Sequence, residues 1–404
     1  MRRLSTAAPA TPGGAPEDEA GAAGRSERAR AYARLRRRLF LVDLLLAGGG
    51  LTLFLVSGLA VRWREALQTM LGQPPGPPPA LLQALPLLLL YVVSLTLAAT
   101  LLTLPLSYYG GFLLPHRFGL STQTRPAWAL DMAKATLLGV AQTALVAIPV
   151  YALLWLAPDW WWLWAGLVLT LFGVVLANLA PVLIVPLFYT LRPLPAGDLR
   201  ERLERLAAES GTAVRGVFVM DMSRRTRAAN AALMGIGNTR RIVLGDTLLA
   251  AFDGPEVGAV LAHELGHHVH RDLWRAILLD GALTLGALWL ADRLLRVLAP
   301  PLGIAGLTDV AALPLIALLG GVLFVVAMPL TNGLSRRREA AADAFAVRVT
   351  GDPDAWKGAL RRLAEMNLAE VDPPPWVEWL LYSHPSIRHR LEAADRVDTR
   401  PRGP

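Results

Sequence analysis

The 404-residue chain contains no cysteine. That excludes disulfides and thiolate metal sites, and it leaves cysteine usage silent about compartment. Charge is scarce too. Asp, Glu, Lys and Arg make up 18% of the residues, against 54% apolar. An ordinary soluble domain carries about 25% charged residues. The apolar excess lies in long runs, which marks a membrane protein. The net charge is +8, nearly all of it from arginine. No recognition motif or aromatic-basic platform accompanies it, so nucleic acid is not an expected partner. Arginine beside apolar runs suits cytoplasmic flanks and lipid headgroups of a bilayer instead. Histidine is also rare, and four of the seven fall between His263 and His270.

Those histidines form H-E-L-G-H at 263–267. On a helix, residues four apart share one face, with Cβ atoms about 5–6 Å apart. His263 and His267 can therefore bind one Zn²⁺. Glu264 sits one step round the helix. Zinc acidifies water, and Glu264 is placed to take the proton. The stretch reads as helical, with Asp253 as N-cap, Pro255 in the first turn and Glu256 completing a capping box. His268 and His270 read as solvated neighbours of the site. A protease zinc site also needs a third protein ligand and an open fourth position. Glu339 and Asp343, again four apart, lie on a helical segment downstream. One can ligate while the other orients a ligand histidine.

In chain order, residues 1–38 read as a disordered tail whose end, 28–38, is basic. A membrane domain follows at 39–189, with apolar runs at 39–61, 80–108, 135–157 and 160–189. The first run is too long for a signal-peptide core. Trp160, Trp161 and Trp162 suit an interfacial aromatic belt. Residues 190–275 form a soluble segment. It holds a helix over 198–210, short strands at 217–220 and 241–244, and the H-E-L-G-H helix. Two further spans, 276–298 and 310–331, occupy 276–332. Residues 333–404 are charged, helical and soluble. Asp292 and Arg296 should pair near the outer end of the fifth span. Asp280 is a further charge near its inner end. There is no internal repeat.

Four blocks together carry a family resemblance. They are HELGH, E-A-A-A-D-A-F-A at 339–346, N-A-A-L-M-G-I-G at 230–237 running into R-R-I-V-L-G-D-T-L-L at 240–249, and S-H-P-S-I-R-H-R at 383–390. F-G-L-S-T-Q-T at 118–124 adds to them. The chain resembles the integral-membrane zinc metalloproteases of the type I CAAX prenyl endopeptidase family, and more distantly HtpX. The resemblance implies one Zn²⁺ on His263, His267 and Glu339, with Glu264 as general base and Asp343 behind the ligands. Asn230, with Ala231, would hold the substrate backbone at an edge strand. His384 and Arg390 would stabilise the oxyanion of the tetrahedral intermediate. The chain departs from the family at Ala232, where an aromatic is usual. It also has four spans before the catalytic segment where eukaryotic members have five, so an intramembrane chamber would be smaller or partly open.

The expected fold is mainly α: a polytopic α-helical membrane protein of about six spans with a cytoplasmic, zincin-like α+β metalloprotease domain. Its C-terminal part, 333–404, carries the third zinc ligand. The basic run at 28–38 puts the N-terminus inside, and even numbers of spans then return both halves of the site to the cytoplasm. If the helices run on, His267 and Glu339 lie about 12–14 Å from the span ends. The expected function is zinc-dependent endopeptidase activity on peptide or membrane-protein substrates, membrane-associated or of prenylated type. A quality-control protease of HtpX type is the alternative. A scaffold or transporter with a structural metal would have no use for Glu264. A site-two-type intramembrane protease would bury its motif in an apolar span, whereas Arg271, Asp272 and Arg275 follow this one. The arginine-over-lysine bias and the lack of an obvious retention signal suggest a prokaryotic inner or cell membrane.

Overall fold

The computed structural model describes residues 15–78 and 80–397, and six of its helices are long and apolar enough to cross a bilayer. Helix α1 (Ala15–Val56) is followed by the short amphipathic α2 (Leu59–Met70). The second span, Leu81–Arg117, joins α3 (Leu81–Tyr108) to α4 (Leu114–Arg117) through one π-helical turn. The third is α5 (Arg125–Leu156). The fourth, Trp161–Phe188, joins α6 (Trp161–Leu179) to α7 (Val185–Phe188) through another π turn. Outside the spans come β1 (Leu191–Pro193), α8 (Asp198–Glu209), β2 (Val217–Met220) and β3 (Ala231–Met234). Then follow β4 (Arg241–Gly245), α9 (Asp246–Ala251) and α10 (Gly254–Val269). The last spans lie in α11 (Asp272–Leu298) and α12 (Leu313–Thr350). Helices α13 (Pro353–Met366), α14 (Pro375–Leu381) and α15 (Ile387–Ala394) complete the described chain.

Three expectations change. The tail is not loose up to residue 38: α1 begins at Ala15, and the basic run lies within it. Residues 1–14 fall outside the described residues. Alanine, arginine and glutamate dominate this stretch and favour helix, and Ala29 and Tyr32 are buried. The first span ends at Val56, not at 61. Gly58 takes φ 72, a left-handed turn that glycine adopts without strain, and redirects the chain into α2. Trp161 leaves the expected belt. It is buried, and its indole N–H donates to Asp292 at 2.7 Å. Asp292 also pairs with Arg296 at 3.0 Å, as expected. Asp280 is exposed.

Two cores result. One lies among the spans and includes Leu87, Tyr91, Tyr151, Leu154, Trp161, Leu295 and Val310. Leu45, Leu101, Leu278 and Phe324 stay exposed on the outer helix faces, as lipid-facing surface requires. The second core holds Leu203, Ile242, Leu244, Leu261, Leu265, Val347 and Trp356. It packs α8, α10, α12 and α13 against the sheet, whose strand order is β1-β2-β4-β3. β2 and β4 were legible as strands, the resemblance implied an edge strand at Asn230 and Ala231, where β3 lies, and β1 is additional. β3 pairs with β4 alone, antiparallel, with Ala231 opposite Leu244 and Leu233 opposite Ile242. It is therefore an edge strand.

The loop at 118–124 ties the membrane helices to this sheet domain. Ser121 bridges Thr226, the Arg227 N–H donates to the Leu120 carbonyl at 2.8 Å, and Thr122 Oγ1 donates to the Ser223 carbonyl at 2.7 Å. Arg225 makes a two-pronged pair with Asp131 of α5 at 2.8 and 3.0 Å.

Candidate active site

Helix α10 starts as its sequence dictates. The Asp253 carboxylate accepts the Glu256 N–H at 2.9 Å, and Glu256 accepts the Asp253 N–H at 3.2 Å. Pro255 sits in the first turn. The helix packs on α12, with Gly266 at the contact. A Cβ on Gly266 would lie 3.1 Å from Ala342 Cα. Without that Cβ the two helices come close enough for Glu339 to face both histidines.

His263 Nε2 lies 3.3 Å from His267 Nε2, 3.4 Å from Glu339 Oε2, and Glu339 Oε1 lies 3.3 Å from His267 Nε2. Glu339 Oε2 is buried and has no hydrogen-bond partner among the described residues. Ligand bonds of about 2.0–2.1 Å in a tetrahedral zinc site separate the donors by about 3.3–3.4 Å. The two imidazole nitrogens have that spacing, each has a different Glu339 oxygen within 3.4 Å, and one ligand atom from each residue places all three within 4.8 Å, compact enough to close on one ion. His268 and His270 stay outside this group.

Each imidazole has a carboxylate behind its other nitrogen, hydrogen-bonded at His267 and in close ion-pair contact without hydrogen-bond geometry at His263. His263 Nδ1 lies 2.9 Å from Asp343 Oδ1, and His267 Nδ1 lies 3.0 Å from Asp272 Oδ2. Carboxylates on the far nitrogens turn both Nε2 atoms toward one point, as in histidine metal sites generally. Asp343 lies behind His263, where the resemblance would put it. The position of Asp272 was not legible. Arg271, at φ 56, breaks the helix between α10 and α11 and swings Asp272 back onto His267.

Burial pulls the two imidazolium pKa values down, but the surrounding carboxylates outweigh it. Glu339 and Asp272 hold His267 up at about 9. The site thus favours positive charge where the ion would sit. Burial pushes the half-buried Glu264 carboxyl above its ordinary value, against the opposing pull of His263 and His267.

The S-H-P turn is built from α12 and α14. Arg336 donates to the carbonyls of Glu378 at 2.8 Å and Tyr382 at 2.6 Å. Glu378 accepts the Ser386 N–H at 3.1 Å, and Ser386 caps α15. This brings His384 Nε2 to 3.3 Å from Glu339 Oε1. Arg390 is buried, and its guanidinium forks onto Asp343 at 2.8 and 2.7 Å over the Trp356 ring.

Asn230 is exposed and immediately precedes β3. The Gly245 N–H donates to the Asn230 carbonyl at 2.9 Å. Antiparallel pairs alternate between bonded and non-bonded, so Ala231 and Leu233 aim their N–H and C=O groups off the free edge. Asn367 steadies the approach, accepting from Ala229 N–H at 2.9 Å and donating to its carbonyl at 3.1 Å. Two cavities meet at Glu264 along this edge. One, about 630 Å³, includes Asn230, Ala231, His263, His384 and Arg390 and reaches Phe40 and Met328 of the spans. The other, about 560 Å³, includes Leu233, Gly235, Arg240, His267 and Arg271. A groove with a polarising centre and a carboxyl base at its midpoint suits hydrolysis of an extended peptide.

The family model described as peptidase family M48 matches residues 193–398. A second, described as CAAX prenyl protease N-terminal, five membrane helices, matches residues 22–190. Over that stretch the described chain has four helices of crossing length and the short α2. The chain is 32% identical over 315 residues to an uncharacterized metalloprotease, YhfN, of Bacillus subtilis, covering 77% of this chain and 74% of the relative. It is 32% identical over 308 residues to a CAAX prenyl protease 1 homolog of Arabidopsis thaliana, covering 73% and 70%. The crystal structure of S. mikatae Ste24p matches with a TM-score of 0.79 at 24% identity, covering 93% of this chain and 89% of that one. The fold is shared.

Proposed function

This chain belongs to peptidase family M48, and on that footing we propose a zinc endopeptidase that cuts membrane-anchored, prenylated-type peptides at the cytoplasmic interface. It is an integral membrane metalloendopeptidase. The zinc reading rests on one observation: His263 Nε2, His267 Nε2 and a Glu339 carboxylate oxygen converge within 4.8 Å of one another, two imidazoles and a carboxylate as in a protease zinc site. His263, His267 and Glu339 would hold the ion. Zinc, when bound, polarises the scissile carbonyl and acidifies water.

The other roles belong to the chain itself. Glu264 takes a proton from the attacking water and hands it to the leaving nitrogen. His384, 3.3 Å from Glu339, donates to the oxygen that becomes negative in the transition state. Arg390 contributes from behind, because its fork is committed to Asp343, which in turn fixes His263. Ala231 and Leu233 bind the substrate backbone as an added strand, with Asn230 at the end of that edge. Chelation should abolish peptide hydrolysis by the purified protein, and Zn²⁺ should restore it. Restoration by another divalent ion but not by zinc would overturn the assignment. His384→Ala should lower kcat more than it raises KM; the reverse would make His384 a ground-state binding residue.

The prenylated substrate class is supported by relatives named CAAX prenyl proteases and by a cavity that continues to Phe40 and Met328 of the spans. New peptide termini from membranes holding wild type or Glu264→Ala test it. Termini near the C-termini of prenylated proteins are expected. Termini scattered through membrane-protein loops would favour quality control instead. The inside orientation rests on the basic run in α1. Reporter fusions after Gly211 and after Ala394 should both report the cytoplasm, and an external signal from either would overturn it.

A further inference from the structure

Three arginines line the cavity that opens from His263 toward the spans: Arg36, Arg37 and Arg390. Two are neutralised in place. Arg37 pairs with Glu370, which also accepts from the Tyr382 hydroxyl at 3.2 Å. Arg390 pairs with Asp343. Arg36 is different. It is exposed, its guanidinium carbon lies 5.9 Å from the Tyr32 ring centre, and among the described residues no carboxylate lies within 4 Å of it. An uncommitted guanidinium in a substrate cavity calls for a planar anion, which it can grip in two prongs.

The direction of the substrate chain says which anion. A peptide added to β3 pairs more stably antiparallel than parallel. Its N-terminal part then lies beside Leu233 and the cavity containing Arg240 and Arg271. Its C-terminal part passes Ala231 and Asn230 into the cavity containing Arg36. That cavity, about 630 Å³, suits a short peptide and no folded domain. Resting on the protease reading above, we infer that Arg36 binds the free C-terminal carboxylate of the substrate and so restricts cleavage to a short distance from a chain end. Hydrolysis adds water across the scissile C–N bond. The new carboxylate stays on the anchored body, and the new amine leaves on the short fragment, whose original carboxylate is the one on Arg36.

The test uses one prenylated model peptide made as free acid and as C-terminal amide, with the full-length, zinc-loaded protein in detergent. Wild type should show a KM lower by about ten- to a hundredfold for the acid, the range of a charged hydrogen-bonded pair. Arg36→Gln should raise the KM of the acid to that of the amide, and Arg36→Lys should recover part of the difference. Equilibrium binding of both peptides to Glu264→Gln reads the same preference without turnover. Equal KM values in wild type would overturn the inference and leave the protease intact. A preference that survives Arg36→Gln and vanishes in Arg271→Gln would reverse the chain direction and overturn it too. Failure of wild type to cut either peptide would remove the prenylated-substrate reading, and this inference with it.

Discussion

The Asp272 carboxylate lies 3.0 Å from His267 Nδ1, although a left-handed residue, Arg271, interrupts the helix between them. On the proposed zinc assignment, this contact would fix which face of His267 meets the metal. Asp272→Ala should therefore weaken zinc binding by about 10–100-fold while leaving the fold in place. Zinc titration against a competing chelator measures it. Unchanged affinity would reduce the contact to a helix-start interaction.

Glu264 touches no donor that the metal needs. Glu264→Gln should bind zinc as wild type does and lose about 10²–10⁴-fold in kcat. Metal content and turnover on the same sample check both halves. Loss of zinc from the variant would instead make Glu264 part of the metal site.

The same carboxyl sets a pH limit. Burial raises its pKa above the ordinary 4.5. A base works only when deprotonated, so kcat/KM should fall as pH drops through the Glu264 pKa, and this acid limb should disappear from the residual activity of Glu264→Gln. An unchanged limb in that variant would place the titrating group elsewhere.

Asp343 and Arg390 form a buried pair. Arg390→Ala strands the Asp343 charge and should cost about 3–5 kcal/mol of stability. Arg390→Lys keeps the charge but not the fork, and should fall between the two in thermal unfolding. Equal unfolding temperatures for Arg390→Ala and wild type would contradict this account.

Gly266→Ala sets two effects against each other. Helix propensity gains up to about 1 kcal/mol, and overpacking costs about 1–3 kcal/mol. The new Cβ would meet Ala342 Cα at 3.1 Å and the Phe345 ring at 3.2 Å. Backbone cannot yield as a side-chain tip can, so overpacking should win. The variant should be less stable and bind zinc more weakly, as α10 and α12 part. Chelator competition and thermal unfolding would show it.

What the sequence revealed was local or compositional. His263 and His267 sit one helical turn apart, and the capping box at Asp253 marks the helix start. Hydropathy alone finds all six spans. What stayed hidden depended on distant partners or single dihedral angles. β3 is four residues long, too short for alternation to declare it; only the family resemblance pointed to an edge strand at Asn230 and Ala231, and its pairing with β4 alone depends on a distant partner. Asp272 reads as one more charge after the motif until the φ of Arg271 is known. Gly58 stops α1 inside an apolar run that hydropathy cannot divide. Arg390 could be placed near the oxyanion by motif, but its commitment to Asp343 is a contact across 47 positions.

Helix α12 runs unbroken from Leu313 to Thr350, and Glu339 stands on its C-terminal third. Between His267 and Glu339 the chain crosses the bilayer along α11 and returns along α12. The third donor is therefore synthesised late and delivered by an inserted helical hairpin. A nascent chain that has made H-E-L-G-H carries two imidazoles and a base but no complete metal site. On the proposed ligand set, a chain truncated before α12 should therefore hold no zinc at this site and cut no peptide.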